Sequence, residues 1–562
     1  MLPLETTGTT GAKERSERRI ALALLLLAAL ACALQIGWFW RFCAHNITSD
    51  AISYIGLARH LRDGDLTKSL HGYWSPLISW LIAAGSFVTR DLTLLGRIIT
   101  VASLLSCLPL LYWLTFRLWR SHLAAAAAVL WFSIARGVVA VAVTTIQADF
   151  LFTACTIVYF SLLLTCLRKD TNLNWLLLGV SHSVAFLAKA FAMPWLFFAT
   201  VLAALSYPQH SLRRKAVSLL LAFLAPVITW LSWGEMLKTK YGVFTTGYQL
   251  RANLMIDMKR NLSHHPRGDP YPLADTSYDN YMVAEQPWAA VQQFKMANPA
   301  LIPVIVENER SNVPAALKEA VILLTPAGVL VLIVGIPKLI RRRRDHWPEA
   351  LFAIMAVVCF ASLVGAYGML VFDARYILPI IAILIALASG FIIPGGPNRD
   401  LRLAPRLQKM CLALFVLSTV FFTIYWASPF RTIDRDFQRS CYNAVALLKQ
   451  SQPAGNSLVS IGNGPYPAHG VGFEVGPYVA YLSGRHLIAM NSALPDDASE
   501  VNQLAAAAGS KKTDAVLVWG QPNNHAYQTI VSQIESSPGA TSNLPITDPA
   551  MGEVGRVITF HR

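Results

Sequence analysis

Charge is scarce in this chain. Asp, Glu, Lys and Arg make up 14% of its 562 residues, against roughly 25% in a soluble globular domain. That deficit excludes a protein whose whole surface faces water. Acid is the scarcer sign: 32 Asp and Glu stand against 47 Lys and Arg, for a net charge of +15. A nucleic-acid binder gathers its basic residues on one wetted face. Here many of them fall in short clusters between apolar runs, so no nucleic-acid partner is expected. The eight cysteines supply no framework. Cys32, Cys107, Cys155, Cys166, Cys359 and Cys411 lie within apolar segments, Cys43 ends one, and Cys441 stands alone in the tail. No spacing suggests a disulfide scaffold or a metal knuckle. A phosphate-cradling glycine loop, a dinucleotide glycine fingerprint and a serine nucleophile elbow are all missing.

What is present is apolar length. Hydrophobic residues reach 54%, and stretches such as 20–40, 216–233, 320–340 and 410–426 are long enough to cross a bilayer, which takes about 20 residues. Lys13, Arg15, Arg18 and Arg19 precede the first stretch. It is too long for a signal-peptide core and reads as an uncleaved signal anchor. With that basic flank inside, segment 46–90 lies outside. Spans then alternate at 94–116, 123–143, 150–167, 173–188, 194–207, 216–234, 320–340, 350–371, 377–393 and 410–426. Counting the first, this gives about eleven spans, and every short basic cluster falls on the inner side, as the positive-inside rule requires. These clusters are Arg117 with Arg120, Arg168 with Lys169, Arg213 to Lys215, Arg341 to Arg344, and Arg399, Arg402 and Arg406.

The expected fold is a polytopic α-helical membrane protein with about eleven transmembrane helices and a small C-terminal soluble α/β domain. Residues 1–19 form a cytoplasmic tail. Residues 20–428 form the membrane domain, with outer loops 43–93 and 236–318, and residues 429–562 form the extracytoplasmic α/β domain. Segment 50–62 is amphipathic and should lie along the interface; 75–88 is apolar but short, hence interfacial or re-entrant. In the tail, strands are expected at 457–462, 486–490, 515–519 and 556–560, with helices at 437–449 and 475–482.

Four charged residues fall together on the outer side without having been used to set the topology: Asp50, Asp149, Lys189 and Arg375. Each has a plain reading. Ser49 or Asp50 would cap a helix, Asp149 would cap another, Lys189 would snorkel, and Arg375 would pair with Asp373 at little gain if exposed. Each also has a chemical one. A partly desolvated carboxylate at Asp50 can take a proton from a hydroxyl. A charge such as Asp149 at a span boundary should face a protein interior or a wet cavity. Lys189 has no topological reason to be outside, and an anion such as a phosphate would explain it. Arg375 offers the fork that binds phosphate. His264 and His265, with Asp257, Asp269 and Asp275 nearby, give only a weak metal signal.

Five segments together resemble the GT-C glycosyltransferase superfamily. They are SDAISYIGLARHLRDGD from Ser49, GYWSPLISWL from Gly72, TTIQADFLF from Thr144, FLAKA from Phe186 and FDARYILP from Phe372. The named relatives are protein O-mannosyltransferases and lipid A aminoarabinose transferases, and the resemblance covers about the first 430 residues. It implies a polyprenyl-phosphate sugar donor lying against the helices. It also implies catalytic roles for Asp50 and Asp149, and a donor phosphate bound by Lys189, Arg375 and Tyr376. The substrate-pocket candidates beside Asp50 are Tyr54, Arg59, His71, Tyr73 and Trp74. Two positions depart from the pattern. Ala51 follows Asp50 where mannosyltransferases carry an acidic pair, and Trp74 and Ser75 precede Pro76 where relatives carry lysine.

The function expected is transfer of a sugar from that donor to a hydroxyl of a lipid, glycan or protein, at the periplasmic face of a bacterial inner membrane and with inversion. No cofactor is implied with certainty, and a divalent metal stays open because relatives differ. The rival readings are a transporter or flippase of lipid-linked sugars, a diphosphate-linked glycan polymerase or ligase, and a non-catalytic scaffold. Transporters often carry internal repeats with helices broken near the midplane; no repeat is visible here, and the charged candidates cluster at one interface rather than at mid-depth.

Overall fold

A computed structural model describes residues 7–43, 48–207, 210–254, 271–272, 299, 301–343, 345–370, 372–393, 403–427, 433–451, 457–461, 479–480, 482–483, 485–491, 513–520, 522–537, 539–548 and 552–560. The first part is helical: α1 (Thr7–Cys43), α2 (Ser49–Arg62), α3 (Leu66–Ser69), α4 (Leu77–Gly85), α5 (Leu92–Trp119), α6 (His122–Ile134), α7 (Val138–Thr144), α8 (Asp149–Arg168), α9 (Asn172–Ala188), α10 (Ala192–Leu205) and α11 (Leu212–Tyr241). After the long loop come α12 (Leu301–Arg341), α13 (Trp347–Gly368), a 3-10 turn (Ala374–Ile377), α14 (Leu378–Ile392) and α15 (Pro405–Ala427).

Helix starts follow from polar caps in an otherwise apolar text. Asp91, Ser121, Thr171 and Ser211 each accept a hydrogen bond from the amide three residues on, at the heads of α5, α6, α9 and α11. The interior holds by close approach: a Cβ at Gly390 would collide with the Trp119 ring, and Trp119 Nε1 donates to Ala386 O at 2.8 Å. Small residues at such crossings are the usual means of packing helices in lipid.

Among the described residues, seven helices are long and apolar enough to cross a membrane, or eight if α6 and α7 form one span. The expected spans fall on helices apart from 123–143, which two helices share, but the count of eleven does not follow from length. α9 and α10 have 17 and 14 residues, short of the about 20 that a straight crossing needs. The expected 123–143 span is not continuous: α6 and α7 meet at 54°, because Gly137 adopts φ 74° between them. The expected 320–340 span begins earlier, and its helix is broken at Thr325, which has φ 59° and ψ 156°. Thr325 precedes Pro326, and proline disfavours helical backbone in the residue before it. α11 reaches Tyr241 and α12 begins at Leu301, so the helical ends run further into 236–318 than hydropathy suggests. Segment 75–88 holds the nine-residue α4, and α2 covers the expected helix 50–62.

The C-terminal part has α16 (Ile433–Ser451), α17 (His525–Glu535) and six strands: β1 (Tyr271–Pro272), β2 (Ser457–Ile461), β3 (His486–Asn491), β4 (Ala515–Trp519), β5 (Ala540–Asp548) and β6 (Gly552–Phe560). Strand order is β1-β3-β2-β4-β6-β5, with β2 parallel to both β3 and β4 and the remaining pairs antiparallel. Alternation assigns the two faces. Val459, Ile461, Val516, Val518 and Ile558 pack on Tyr527, Ile530 and Ile534 of α17. Leu458, Ala515, Leu517 and Val557 join Cys441, Ala444 and Leu448 of α16 in a cluster that also takes in α2 and α4. β1 comes from the long loop before α12, so that loop and the tail share one sheet. Of the expected tail helix 475–482, residues 475–478 and 481 lie outside the described residues, as do His264, His265, Asp257, Asp269 and Asp275.

Candidate active site

The Asp50 cap reading is corrected first. Thr48 caps α2, its side chain accepting from Ala51 N at 3.3 Å. Asp50 is thereby left to turn elsewhere, and its Oδ2 accepts from Arg375 Nη2 at 3.1 Å and from Gln147 Nε2 at 3.3 Å. Arg375 sits in the 3-10 turn ahead of α14, where Asp373 accepts from Arg375 N. The guanidinium Nε lies 3.1 Å from Asp373 Oδ2 and 3.9 Å from Asp149 Oδ2. Asp149 opens α8, where no side-chain cap operates; instead its Oδ1 binds Lys189 Nζ at 2.5 Å. Lys189 occupies the C-terminal cap position of α9, where the helix dipole favours a cation. Its ammonium lies 4.4 Å from the Tyr376 ring centre and 5.7 Å from that of Tyr367, and the two rings stack at 4.4 Å.

Asp50, Asp149, Lys189, Arg375 and Tyr376 thus meet in one cluster built from α2, α8, the α9–α10 junction and the 3-10 turn. Two cations face three carboxylates. The cluster is largely buried but opens at one edge: side-chain exposure is 7% for Asp149, 15% for Arg375, 22% for Asp50 and 46% for Asp373. Burial raises the Asp50 carboxyl above its usual range, and the Arg375 charge opposes that rise. Burying so many charges together is costly, and such perturbed groups mark functional sites more often than structural ones.

The aromatic candidates form the neighbouring wall. Tyr54 and Tyr73 both contact the Trp74 ring edge-on, at 5.1 and 4.7 Å. The phenols of Tyr54 and Tyr73 are raised by burial and by the Asp50 charge. Tyr73 Oη donates to Asn253 Oδ1 at 2.7 Å. His71 plays a different part. Its Nδ1 accepts from Tyr73 N and Trp74 N at 3.0 and 3.3 Å, which makes it an organiser of the Gly-Tyr-Trp turn. Arg59 lies nine residues beyond Asp50 on α2, about 13 Å along the axis, and its charge acts on Asp63. The structure does not bring Arg59 into the cluster.

Sequence reasoning missed four contributors. Gln147 was visible only as polar flank to Asp149; its bond to Asp50 spans 97 positions. Tyr367 lies in an apolar helix with nothing to mark it. Ser75 Oγ accepts from Ala190 N at 2.9 Å, tying the Gly-Tyr-Trp-Ser turn to the Lys189 junction. Asp373 entered only as a rival partner for Arg375. Among the described residues, no group of three or more His, Cys, Asp or Glu is placed to hold a metal ion.

No family model matches the chain, and no curated protein matches it by sequence. Solved structures do. ArnT from Cupriavidus metallidurans, a lipid A aminoarabinose transferase, aligns in its apo state with TM-score 0.52 and 12% identity, over 96% of this chain and 97% of that one. The same protein bound to undecaprenyl phosphate gives TM-score 0.50 at the same identity and coverage. The arabinofuranosyltransferase AftD from Mycobacteria gives 0.43 with 13% identity, over 95% of this chain and 40% of that one. The chain therefore has the GT-C fold along nearly its whole length, and the resemblance drawn from five short segments holds at the level of architecture.

Proposed function

We propose that this protein is an integral-membrane glycosyltransferase that moves a sugar from a polyprenyl-phosphate donor to a hydroxyl acceptor, at the non-cytoplasmic face and with inversion. The observation that carries the reading is the buried Asp50–Arg375–Asp149–Lys189 cluster at one end of the helical bundle. The fold shared with ArnT, whose structure holds undecaprenyl phosphate, supports the donor class.

The two aspartates divide the work. Asp50 keeps one oxygen open: both of its hydrogen bonds arrive at Oδ2, and none reaches Oδ1 among the described residues. Oδ1 takes the proton of the acceptor hydroxyl as that oxygen attacks the anomeric carbon. The bond from the anomeric carbon to the phosphate oxygen breaks, and the electron pair leaves on the lipid phosphate. Arg375 and Lys189 stabilise the charge that grows there, and such preorganised groups are worth roughly 3–4 kcal/mol each. Asp149, almost wholly buried and bound to Lys189, holds that ammonium in place. The Tyr367–Tyr376 stack gives the ammonium an aromatic floor.

The test supplies labelled polyprenyl-phosphate sugars to membranes holding the wild type or Asp50→Asn. Label should reach an acceptor with the wild type only. An Asp50→Asn protein of full activity removes the assignment of the base; a well-folded wild type that transfers from no donor removes the function.

A further inference from the structure

Gln147 lies in the turn between α7 and α8, is 4% exposed, and uses half of its amide. Nε2 donates to Asp50 Oδ2, while Oε1 is shut away from solvent and makes no hydrogen bond among the described residues. An unpaired buried acceptor is destabilising, and a methionine would fill the space without that cost. The amide cannot turn over to relieve it, because a carbonyl oxygen facing the Asp50 carboxylate would set acceptor against acceptor. Asp50 is 22% exposed in its side chain; its Oδ2 takes both hydrogen bonds, and Oδ1 takes none among the described residues. One buried acceptor without a donor, Gln147 Oε1, thus stands beside the open oxygen of Asp50.

We infer that Gln147 Oε1 receives a second hydroxyl of the acceptor substrate, beside the one that Asp50 Oδ1 deprotonates, so the acceptor is a carbohydrate with neighbouring hydroxyls and not a protein serine or threonine. The inference rests on the glycosyl-transfer reading above. A side chain with one hydroxyl satisfies Asp50 and leaves Gln147 Oε1 buried and unpaired. A sugar diol satisfies both. The proposed donor phosphate meets Arg375 and Lys189, whereas Gln147 bonds to Asp50, the group assigned to the acceptor hydroxyl. Tyr54, Tyr73 and Trp74 lie next to Asp50 and offer apolar ring faces to a sugar, the usual lining of such pockets.

The experiment uses the full chain in proteoliposomes with a labelled polyprenyl-phosphate sugar panel and three acceptors: a methyl glycoside with a vicinal diol, its monodeoxy counterpart, and a serine/threonine peptide. With wild type, the monodeoxy sugar should lose about tenfold or more in kcat/KM, and the peptide should be the poorest acceptor. Gln147→Met should bring the diol down to the monodeoxy value, so that their ratio falls to about one. Equal wild-type rates for the two sugars, or preferred transfer to the peptide, overturn the inference while the transfer itself upholds the enzyme. A monodeoxy donor sugar forms the control arm: if Gln147→Met erases discrimination against that donor instead, the hydroxyl is the donor's and the acceptor assignment fails. Should Gln147→Met not fold, the wild-type comparison decides alone. Absence of transfer from every donor overturns both readings together.

Discussion

Arg375 Nη2 donates to Asp50 Oδ2 at 3.1 Å across 325 positions of chain. The bond does two things at once. It orients a carboxylate that burial would otherwise push toward the neutral acid, and in the proposed reaction it sets the cation for the leaving phosphate beside the group that would take the proton.

A pH profile follows. Burial raises the Asp50 carboxyl and Arg375 pulls it back. A base must be ionised, so transfer should fall away as pH drops through the Asp50 pKa, above the ordinary carboxylate range. Arg375→Gln removes the opposing charge, so its residual activity should show an acid limb at higher pH, with kcat lowered about 100-fold or more. Arg375→Lys keeps a charge and loses the fork, so kcat should fall while the limb moves less. The pH dependence of kcat/KM in proteoliposomes reads all three proteins. An identical limb in wild type and Arg375→Gln would break the link between these residues.

The Lys189–Asp149 pair predicts non-additivity. Both partners are nearly buried, so removing either strands a charge, at about 3–5 kcal/mol. Lys189→Met and Asp149→Asn should each lower the unfolding temperature in detergent, and the double variant should lose less than their sum, with a coupling of roughly 0.5–3 kcal/mol. Strict additivity would mean that the pair does not hold together in the folded protein.

The bundle and the cluster differ in how far the amino-acid text reveals them. Helix positions were legible because a bilayer demands apolar length and basic ends, and both are local properties. Asp50, Asp149, Lys189 and Arg375 were legible because a charge at the end of an apolar run away from the basic clusters violates that pattern. Gln147 and Tyr367 violate nothing, and their roles come from partners elsewhere: Asp50, 97 positions away, for Gln147, and Tyr376 and the Lys189 ammonium for Tyr367. Arg59 misled because it shares a helix with Asp50, yet nine residues of rise carry it out of reach. In the tail, β5 escaped notice because Pro545 and scattered polar residues interrupt its alternation. The break at Thr325 depends on one proline among several in α12 that the helix otherwise tolerates.

Gly72 should tolerate no side chain. A Cβ there would lie 2.6 Å from the Tyr248 ring, while Gly72 O accepts from Tyr248 N at 2.8 Å and Gly72 N donates to Tyr241 Oη at 3.2 Å. Gly72→Ala must push the Tyr248 ring or the turn aside, at about 1–3 kcal/mol. Because Tyr73 and Trp74 follow in the same turn, KM for the acceptor should rise more than KM for the donor. Gly72→Ala with Tyr248→Leu should recover part of the stability. Equal shifts in both KM values would detach this turn from acceptor binding.

The opposite end of α8 supplies the counter-case. Arg168 pairs with Glu349 at the start of α13 and donates to the carbonyls of Arg117 and Leu118, the last turn of α5. It therefore closes otherwise unpaired helix-end carbonyls and locks three helices. The 20 residues of α8 put about 30 Å between this lock and Asp149. Arg168→Met leaves Glu349 as a part-buried carboxylate without its guanidinium, so the unfolding temperature should fall by several degrees. Below that transition kcat, both KM values and the acid limb should match wild type, because no charge in the cluster has changed. A shifted acid limb in Arg168→Met, with the protein still folded, would show that α8 carries a signal between its two ends and that the base is tuned from the far side of the bundle.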